Sequence, residues 1–288
     1  MNRFFTRFAT SLIVFGSTFG CLAQETNSLL WKISGKEISK PSYLFGTIHM
    51  LPQEKYFFTE VMQSALDNSD VLALEADIDI PLAEQMKMAT QMMMPDGKTW
   101  ADYMTAEEYA AVISAFVDSL GIKEKKVEKY GNIRPIYVSG LILTELLGKV
   151  KMYEQELSGL AKKDKKPIMG LETIQEQMEI VSSIPVEDQM EDLKATTASM
   201  LRDYNEMLDA YLAQNLVELG NVSTQSEGFD KIEAKLLTER NERWVKAIQE
   251  LLSKQSTFFA VGAMHLVGEN GLIAQLKAAG YTVEPINQ

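Results

Sequence analysis

The sequence predicts an α/β fold: a central, mainly parallel sheet built from both chain ends, with a helical cap inserted in the middle. Three observations carry this expectation. Short apolar runs at residues 43–46, 71–75, 168–172 and 258–262, with a last one at 281–286, lack the alternation of a half-exposed strand and fit strands buried on both faces. Long stretches of helical period lie between them, as at 105–120 and 187–219, the latter carrying Leu193, Met200, Tyr204, Met207, Leu208 and Tyr211. Finally, the strand signals gather towards the two ends, whereas residues 81–227 are dominated by helix signal and only the run at 168–172 interrupts them.

The first element is a leader. Arg3 and Arg7 precede an apolar stretch at 8–19 and then small residues, which is the pattern of a secretory signal peptide over residues 1–23. Twelve or so apolar residues fall short of the roughly twenty that span a bilayer. Cys21-Leu22-Ala23 offers a small-x-small cleavage site after Ala23. The alternative is a lipid anchor at Cys21, which Thr18-Phe19-Gly20-Cys21 fits poorly because the lipoprotein pattern favours Leu at its first position. Residues 24–288 are therefore read as one exported α/β domain, periplasmic or secreted, with a helical cap at about 81–227 and membrane contact only through that anchor. Cleavage after Ala23 removes the single cysteine and with it disulfides, a cysteine nucleophile and a cysteine-based zinc site.

Without Arg3 and Arg7 the basic residues fall from 28 to 26 against 40 acidic ones, a net charge of about −14. Such a surface repels nucleic-acid phosphates and anionic membranes, so nucleic acid is not an expected partner.

In a parallel sheet, ligands bind beyond the carboxyl ends of the strands, where loops converge. Each main run here ends on a useful side chain: "YLFGTIH" on His49, "VLALE" on Glu75, "IMGLE" on Glu172 and "FFAVGAMH" on His265. The chain has two histidines in all, and each follows a glycine by three residues. A lone histidine after a strand is more often structural or surface; two of two in one local frame point to a shared site. Gly46 and Gly262 suit a sharp turn or a close backbone approach. After His265, Gly268-Glu269-Asn270 reads as the start of a short helix whose positive end would help keep the imidazole neutral. Thr173 with Glu176 forms a capping box, so a helix is expected right after Glu172.

Further along, "LLTERNERWVKAIQELL" carries an apolar stripe through Leu237, Trp244, Ile248 and Leu251, and Asn241 falls on it. A buried amide needs a specific partner, and Arg240 flanks it. The bland reading of Arg240 is a surface residue paired with Glu239 or Glu242; that of Glu75 and Glu172 is capping or turn formation. The methionines at 86, 88, 92, 93 and 94 suggest soft copper ligation only weakly, because Met more often fills irregular apolar contacts.

Two neutral imidazoles with one or two carboxylates suit Zn²⁺, Mn²⁺ or Co²⁺ with an open position for water. Whichever of Glu75 and Glu172 is not a ligand could take the water's proton, and Arg240 with Asn241 could stabilise an oxyanion. There is no G-x-S-x-G elbow and no H-E-x-x-H helix.

"YLFGTIHMLP", "LALEAD", "GLETIQEQ", "LLTERNERW" and "FFAVGAMHLVGENGLIAQLKAAGYTV" together closely resemble the TraB/GumN family, which includes the Tiki proteins and is distantly similar to the erythromycin-esterase and ChaN-like group. The resemblance spans about residues 29–285, and its most specific part is the paired G-x-x-H. It implies an α/β fold of two pseudo-symmetric halves, with His49 and His265 as metal ligands or catalytic residues and Glu75 as their carboxylate partner; Glu172 and Arg240 match motif positions of less settled role. Tiki proteins are metal-dependent peptidases, so the leading expectation is an exported metal-dependent hydrolase acting on a peptide or protein. The alternatives are a protein that sequesters a peptide or haem without turnover and a metal-free esterase-like hydrolase.

Overall fold

Strand β1 (Leu30–Ser34) turns through Gly35, which has a positive φ of 86°, and pairs antiparallel with β2 (Ser42–Thr47). The computed structural model describes residues 27–36, 38–197, 199–224 and 233–287. The expected leader, with Cys21 and its cleavage site, lies outside the described residues.

The sheet is completed by β4 (Val71–Ala76), β6 (Ile168–Glu172), β7 (Thr257–Gly262) and β8 (Thr282–Pro285), in the order β6-β4-β7-β2-β1-β8. The pairs β6–β4, β4–β7 and β7–β2 are parallel, so all four strands end at one edge, at Glu172, Ala76, Gly262 and Thr47. The run at 281–286 enters the sheet differently from the others. It forms β8 and pairs antiparallel with β1, because β1 itself runs against β2. β6 comes from the middle of the helical segment and forms one edge of the sheet.

The absence of alternation has the expected cause in the three inner strands β2, β4 and β7 but not at the edges of the sheet, where β6 exposes Met169 and Gly170 and β8 buries only Val283. Every residue of β4 is buried, as are nearly all of β2 and β7, since helices cover both faces. The main core packs Phe45, Phe258, Phe259, Trp244, Tyr153 and Tyr211 with the sheet. A second cluster gathers Trp100, Phe116, Val138, Ile142 and Leu193 from residues 94–200, with Trp100 and Phe116 stacked at 5.8 Å.

The helical stretch at 105–120 becomes Ala106–Ser114, capped by a Thr105/Glu108 box, followed by a wider turn at Ala115–Ser119. The stretch at 187–219 divides into Val186–Thr196, Met200–Leu212 and Leu216–Thr224. Gln214, at φ 55°, ends the second of these, and the Asn215 side chain accepts from the Glu218 N–H to start the third. In the middle helix Tyr204, Leu208 and Tyr211 share the buried face. By contrast, the methionine-bearing helix Leu82–Gln91 buries no residue, and Met86 is 65% exposed. No helix of the described residues is long and apolar enough to cross a membrane.

A small antiparallel pair outside the main sheet has a disproportionate role. β3 (Leu51–Pro52), just after His49, bonds to β5 (Val150–Lys151), just before the helix Tyr153–Lys163. This pairing carries the first turn of that helix to the end of β2, where Tyr153 donates its hydroxyl to the Phe57 carbonyl at 2.7 Å.

Candidate functional site

The site lies at the common edge where β2, β4, β6 and β7 end. Its closest approaches rely on glycine. A Cβ on Gly46 would sit 3.1 Å from both Cα and Cβ of Ala263, and one on Gly262 would sit 3.2 Å from Glu75 Oε1. Close approach, rather than an unusual turn, explains both. At Gly262 the bare backbone N–H donates to Glu75 Oε1 at 2.7 Å.

The helix Glu239–Leu252 supplies the hub. Its first turn buries Arg240 and Asn241 with Trp244, all on the face turned to the sheet. Arg240 is therefore no surface residue. Its Nη2 donates to Glu75 Oε2 at 2.6 Å and to Glu172 Oε1 at 2.7 Å, its Nε also donates to Glu172 Oε1 at 3.0 Å, and its Nη1 reaches the Leu236 carbonyl. Trp244 Nε1 donates to Glu172 Oε2 at 3.2 Å, and Arg243 lies 3.4 Å from the same oxygen. Two strand-tip carboxylates thus share one guanidinium, whose planar fork suits this task.

Asn241 decides the state of His265. Its Nδ2 donates to the carbonyls of His265 and Asn270, which makes Oδ1 the acceptor that faces His265 Nδ1 at 2.7 Å. Nδ1 must then carry the proton, and Nε2 keeps its lone pair. That Nε2 lies 3.2 Å from Arg240 Nη1 and 3.8 Å from Glu75 Oε1, with the ring tilted against Trp244 at 4.4 Å. Burial pushes the His265 pKa down to about 4, against the pull of Glu75 and with the help of Arg240. The imidazole is neutral as expected, although the cause differs. The following helix starts only at Leu272, and desolvation dominates. Burial also pushes Glu75 up, but the charges of His265, His49 and Arg240 and the Gly262 N–H outweigh it and hold the carboxylate down at about 2. With His265 neutral near pH 7, the cations facing Glu75 are His49 and Arg240.

The two G-x-x-H copies differ in surroundings. His265 sits in the short turn Ala263–Leu266 and is 3% exposed, whereas the His49 side chain is 64% exposed. Gly46 lies within β2, while Gly262 ends β7 and pairs with Thr47. His49 Nδ1 bonds Glu154 Oε1 at 3.0 Å. This hydrogen bond raises the His49 pKa to about 9, and water around the exposed ring screens the pair. The carboxylate also fixes Nδ1 as the donor and leaves Nε2 without a hydrogen bond among the described residues.

His49, Glu75, Arg240 and His265 line one cavity of about 410 Å³, in the range of small-molecule binding pockets. Its remaining wall is largely apolar and includes Leu143, Met207, Leu219 and Leu236. Tyr204 and Tyr211 also face it, with their hydroxyls engaged by the Met50 and Gly46 carbonyls. Glu172 does not line this cavity; it stands behind Arg240. Asn241, considered beforehand for an oxyanion, has both amide atoms engaged in holding His265.

The donor chemistry fits a divalent transition metal. Both imidazoles have Nδ1 held as a donor, Glu75 is ionised, and the 3.8 Å between Glu75 Oε1 and His265 Nε2 is compatible with two bonds of about 2.0–2.2 Å to one ion. Only His265 is neutral as expected; the Glu154 hydrogen bond keeps His49 protonated near pH 7 in the metal-free protein, so ligation there requires loss of that proton. No three His, Cys, Asp or Glu side chains of the described residues converge as a ready ligand set, so the fit is one of donors rather than assembled geometry. Sequence reasoning missed Glu154 and Trp244 as partners in the site. Trp244 was legible only as a core residue, and nothing local marks Glu154.

The family model described as TraB/PrgY/gumN family matches residues 29–285, and the chain belongs to that family. Among curated proteins it is similar to Metalloprotease TIKI1 of Xenopus tropicalis, with 24% identity over 90% of this chain and 61% of that protein. Metalloprotease TIKI2 of Danio rerio is 24% identical over 91% of this chain and 61% of its own length. Metalloprotease TIKI1 of Homo sapiens is 24% identical over 90% and 62%, respectively. The chain thus spans a little over three-fifths of these relatives. No solved structure matches it.

Proposed function

We propose that this member of the TraB/PrgY/gumN family is an exported, metal-dependent hydrolase that acts on peptides or proteins. The observation that carries the reading is the meeting of His49, Glu75 and His265 at one cavity, with both Nδ1 atoms held by Glu154 and Asn241. The metalloprotease names of the relatives support it, and the leader-like pattern of residues 1–23 supports export. His49, Glu75 and His265 would hold the ion, which would supply a water acidified towards neutral pH.

The chain's own groups have separable tasks. Asn241 and Glu154 hold both Nδ1 atoms, which leaves Nε2 as the ligating atom of each ring; His265 Nε2 would exchange its 3.2 Å contact with Arg240 Nη1 for the ion, and His49 would release a proton. Gly262 N–H and Arg240 keep Glu75 ionised. Arg240 lies at the cavity wall with its five N–H groups engaged, so it would act on negative charge developing on a substrate carbonyl oxygen through its charge, and through a hydrogen bond only from Nη1 once His265 Nε2 turns to the ion. Glu172 acts through Arg240 as a positioning residue, with Trp244 fixing its second oxygen. The apolar wall excludes water and accommodates a substrate side chain.

The test is metal analysis of purified protein, stripped and then reloaded with Zn²⁺, Mn²⁺ or Co²⁺, coupled to a peptide-cleavage screen. About one ion per chain and metal-dependent cleavage are expected, both lost in His49→Ala and His265→Ala with folding intact. Full cleavage by either variant after stripping rejects the proposal. Turnover persisting in strong chelator indicates a metal-free hydrolase, and tight retention of a peptide without product indicates a sequestering protein.

A further inference from the structure

Seven buried side-chain atoms of the described residues have no hydrogen-bond partner there, and only two of them belong to residues that line the cavities at His49: Thr47 Oγ1 and Glu154 Oε2. Thr47 is 2% exposed and sits on the wall of the apolar cavity. Glu154 lines a second cleft of about 320 Å³. The two cavities share His49 and Glu75. Glu154 Oε1 is engaged by His49, so its other oxygen remains for something else.

Buried polar atoms are nearly always paired, and one left orphaned disfavours the folded state unless a bound group satisfies it. The chemistry on the two sides of His49 differs. The first cavity is apolar apart from the site residues and Thr47. The second is lined by the carboxyls of Glu75 and Glu154, the amides of Gln155 and Gln177 and apolar Ile78, Met152 and Ile174, with His49 on its wall but no lysine or arginine, so two carboxylates face one imidazolium there. Its charge suits a cation, whereas Arg240 faces only the first cavity.

We infer that Thr47 and Glu154 are substrate contacts on either side of His49, selecting a peptide in which a bulky apolar residue adjoins a basic one. The apolar side chain fills the 410 Å³ cavity while the Thr47 hydroxyl bonds the main chain of that residue, and Glu154 Oε2 accepts from the neighbouring cationic side chain. The inference rests on the peptide-hydrolase reading for the class of ligand, but its residue assignments concern binding and are tested apart from turnover.

The probe is acetyl-Gly-Gly-Leu-Lys-Gly-Gly-amide with its Asp-Lys and Leu-Glu counterparts, titrated by calorimetry into the full chain as purified; product is assayed by mass spectrometry in the same samples. The Leu-Lys peptide should bind at least tenfold tighter than either counterpart. Thr47→Val should weaken it about fivefold or more while the variant melts no lower than the parent, since it removes an unpaired hydroxyl; a purely structural threonine would instead lower the melting temperature and spare binding. Glu154→Gln, which retains an acceptor for His49, should erase the preference for Lys over Glu. Equal binding of the three peptides, or unchanged affinity in Thr47→Val, overturns the inference. Cleavage without these preferences leaves the hydrolase reading intact and removes the contacts; the preferences without product leave the contacts and remove the hydrolase. If no peptide binds or is cleaved, both fall.

Discussion

Asn241 Oδ1 faces His265 Nδ1 at 2.7 Å, and because Asn241 Nδ2 already donates to two main-chain carbonyls, the amide dictates which imidazole nitrogen carries the proton. The chain has two histidines, so a nitrogen-15 spectrum of tag-free protein contains two imidazoles. His265 should show the Nδ1–H tautomer at pH 7. Asn241→Leu should abolish that signature and lower stability by about 1–3 kcal/mol, as expected for stranded buried partners. An Nε2–H tautomer in the parent protein would refute the assignment.

Arg240 pairs with two buried carboxylates at once, with Arg243 also 3.4 Å from Glu172. Arg240→Ala should destabilise by about 3–5 kcal/mol, because it leaves buried charge without compensation. Arg240→Lys keeps the charge but loses the fork, so chemical denaturation should place it well below the parent. A lysine variant as stable as the parent would mean that charge alone suffices here.

Acid should weaken the metal-free protein in a defined order. His265 titrates near 4 when folded against an ordinary 6.5, so between those values the unfolded chain binds more protons; the stability His265 contributes is complete above pH 6.5 and lost as pH falls to 4. Glu75, held at about 2 against 4.5, adds a loss from 4.5 downward. His49 has the opposite sign, with its contribution present below 6.5 and lost as pH rises through 9, and its exposure keeps that contribution small. Urea unfolding should lose on the order of a few kcal/mol between pH 6.5 and 4, and His265→Gln should flatten that limb. A parent curve level down to pH 4 contradicts the account.

Gly262→Ala should displace Glu75, since the new methyl would meet its Oε1 at 3.2 Å. Gly46→Ala meets backbone and Cβ of Ala263 at 3.1 Å, where little can yield. Thermal melts should show a loss of about 1–3 kcal/mol for Gly46→Ala. The Gly262 variant should be milder in stability yet impaired in metal retention.

The chain's own pattern was enough to anticipate much of this arrangement. Unalternating apolar runs meant strands covered on both faces for β2, β4 and β7, though not for the edge strands β6 and β8; the residues at the ends of the runs pointed to His49, Glu75, Glu172 and His265, and the stripe through Trp244 and Ile248 placed Asn241 on a buried face. Those inferences succeed because periodicity and strand ends are properties of one element at a time. The strand at 281–286 shows the limit: its apolar character was plain, but its antiparallel pairing depends on β1, a neighbour the pattern did not announce.

Packing between elements settled the rest. Two identical local motifs became a buried neutral imidazole and an exposed one, because desolvation is imposed by whatever surrounds a ring and not by the three residues before it. Arg240 became the shared partner of Glu75 and Glu172, and Glu154 met His49 across 105 positions through the β3–β5 pair. Hydrogen bonds and burial act over a few ångströms in space, and only the folded chain decides which distant residues come within that range.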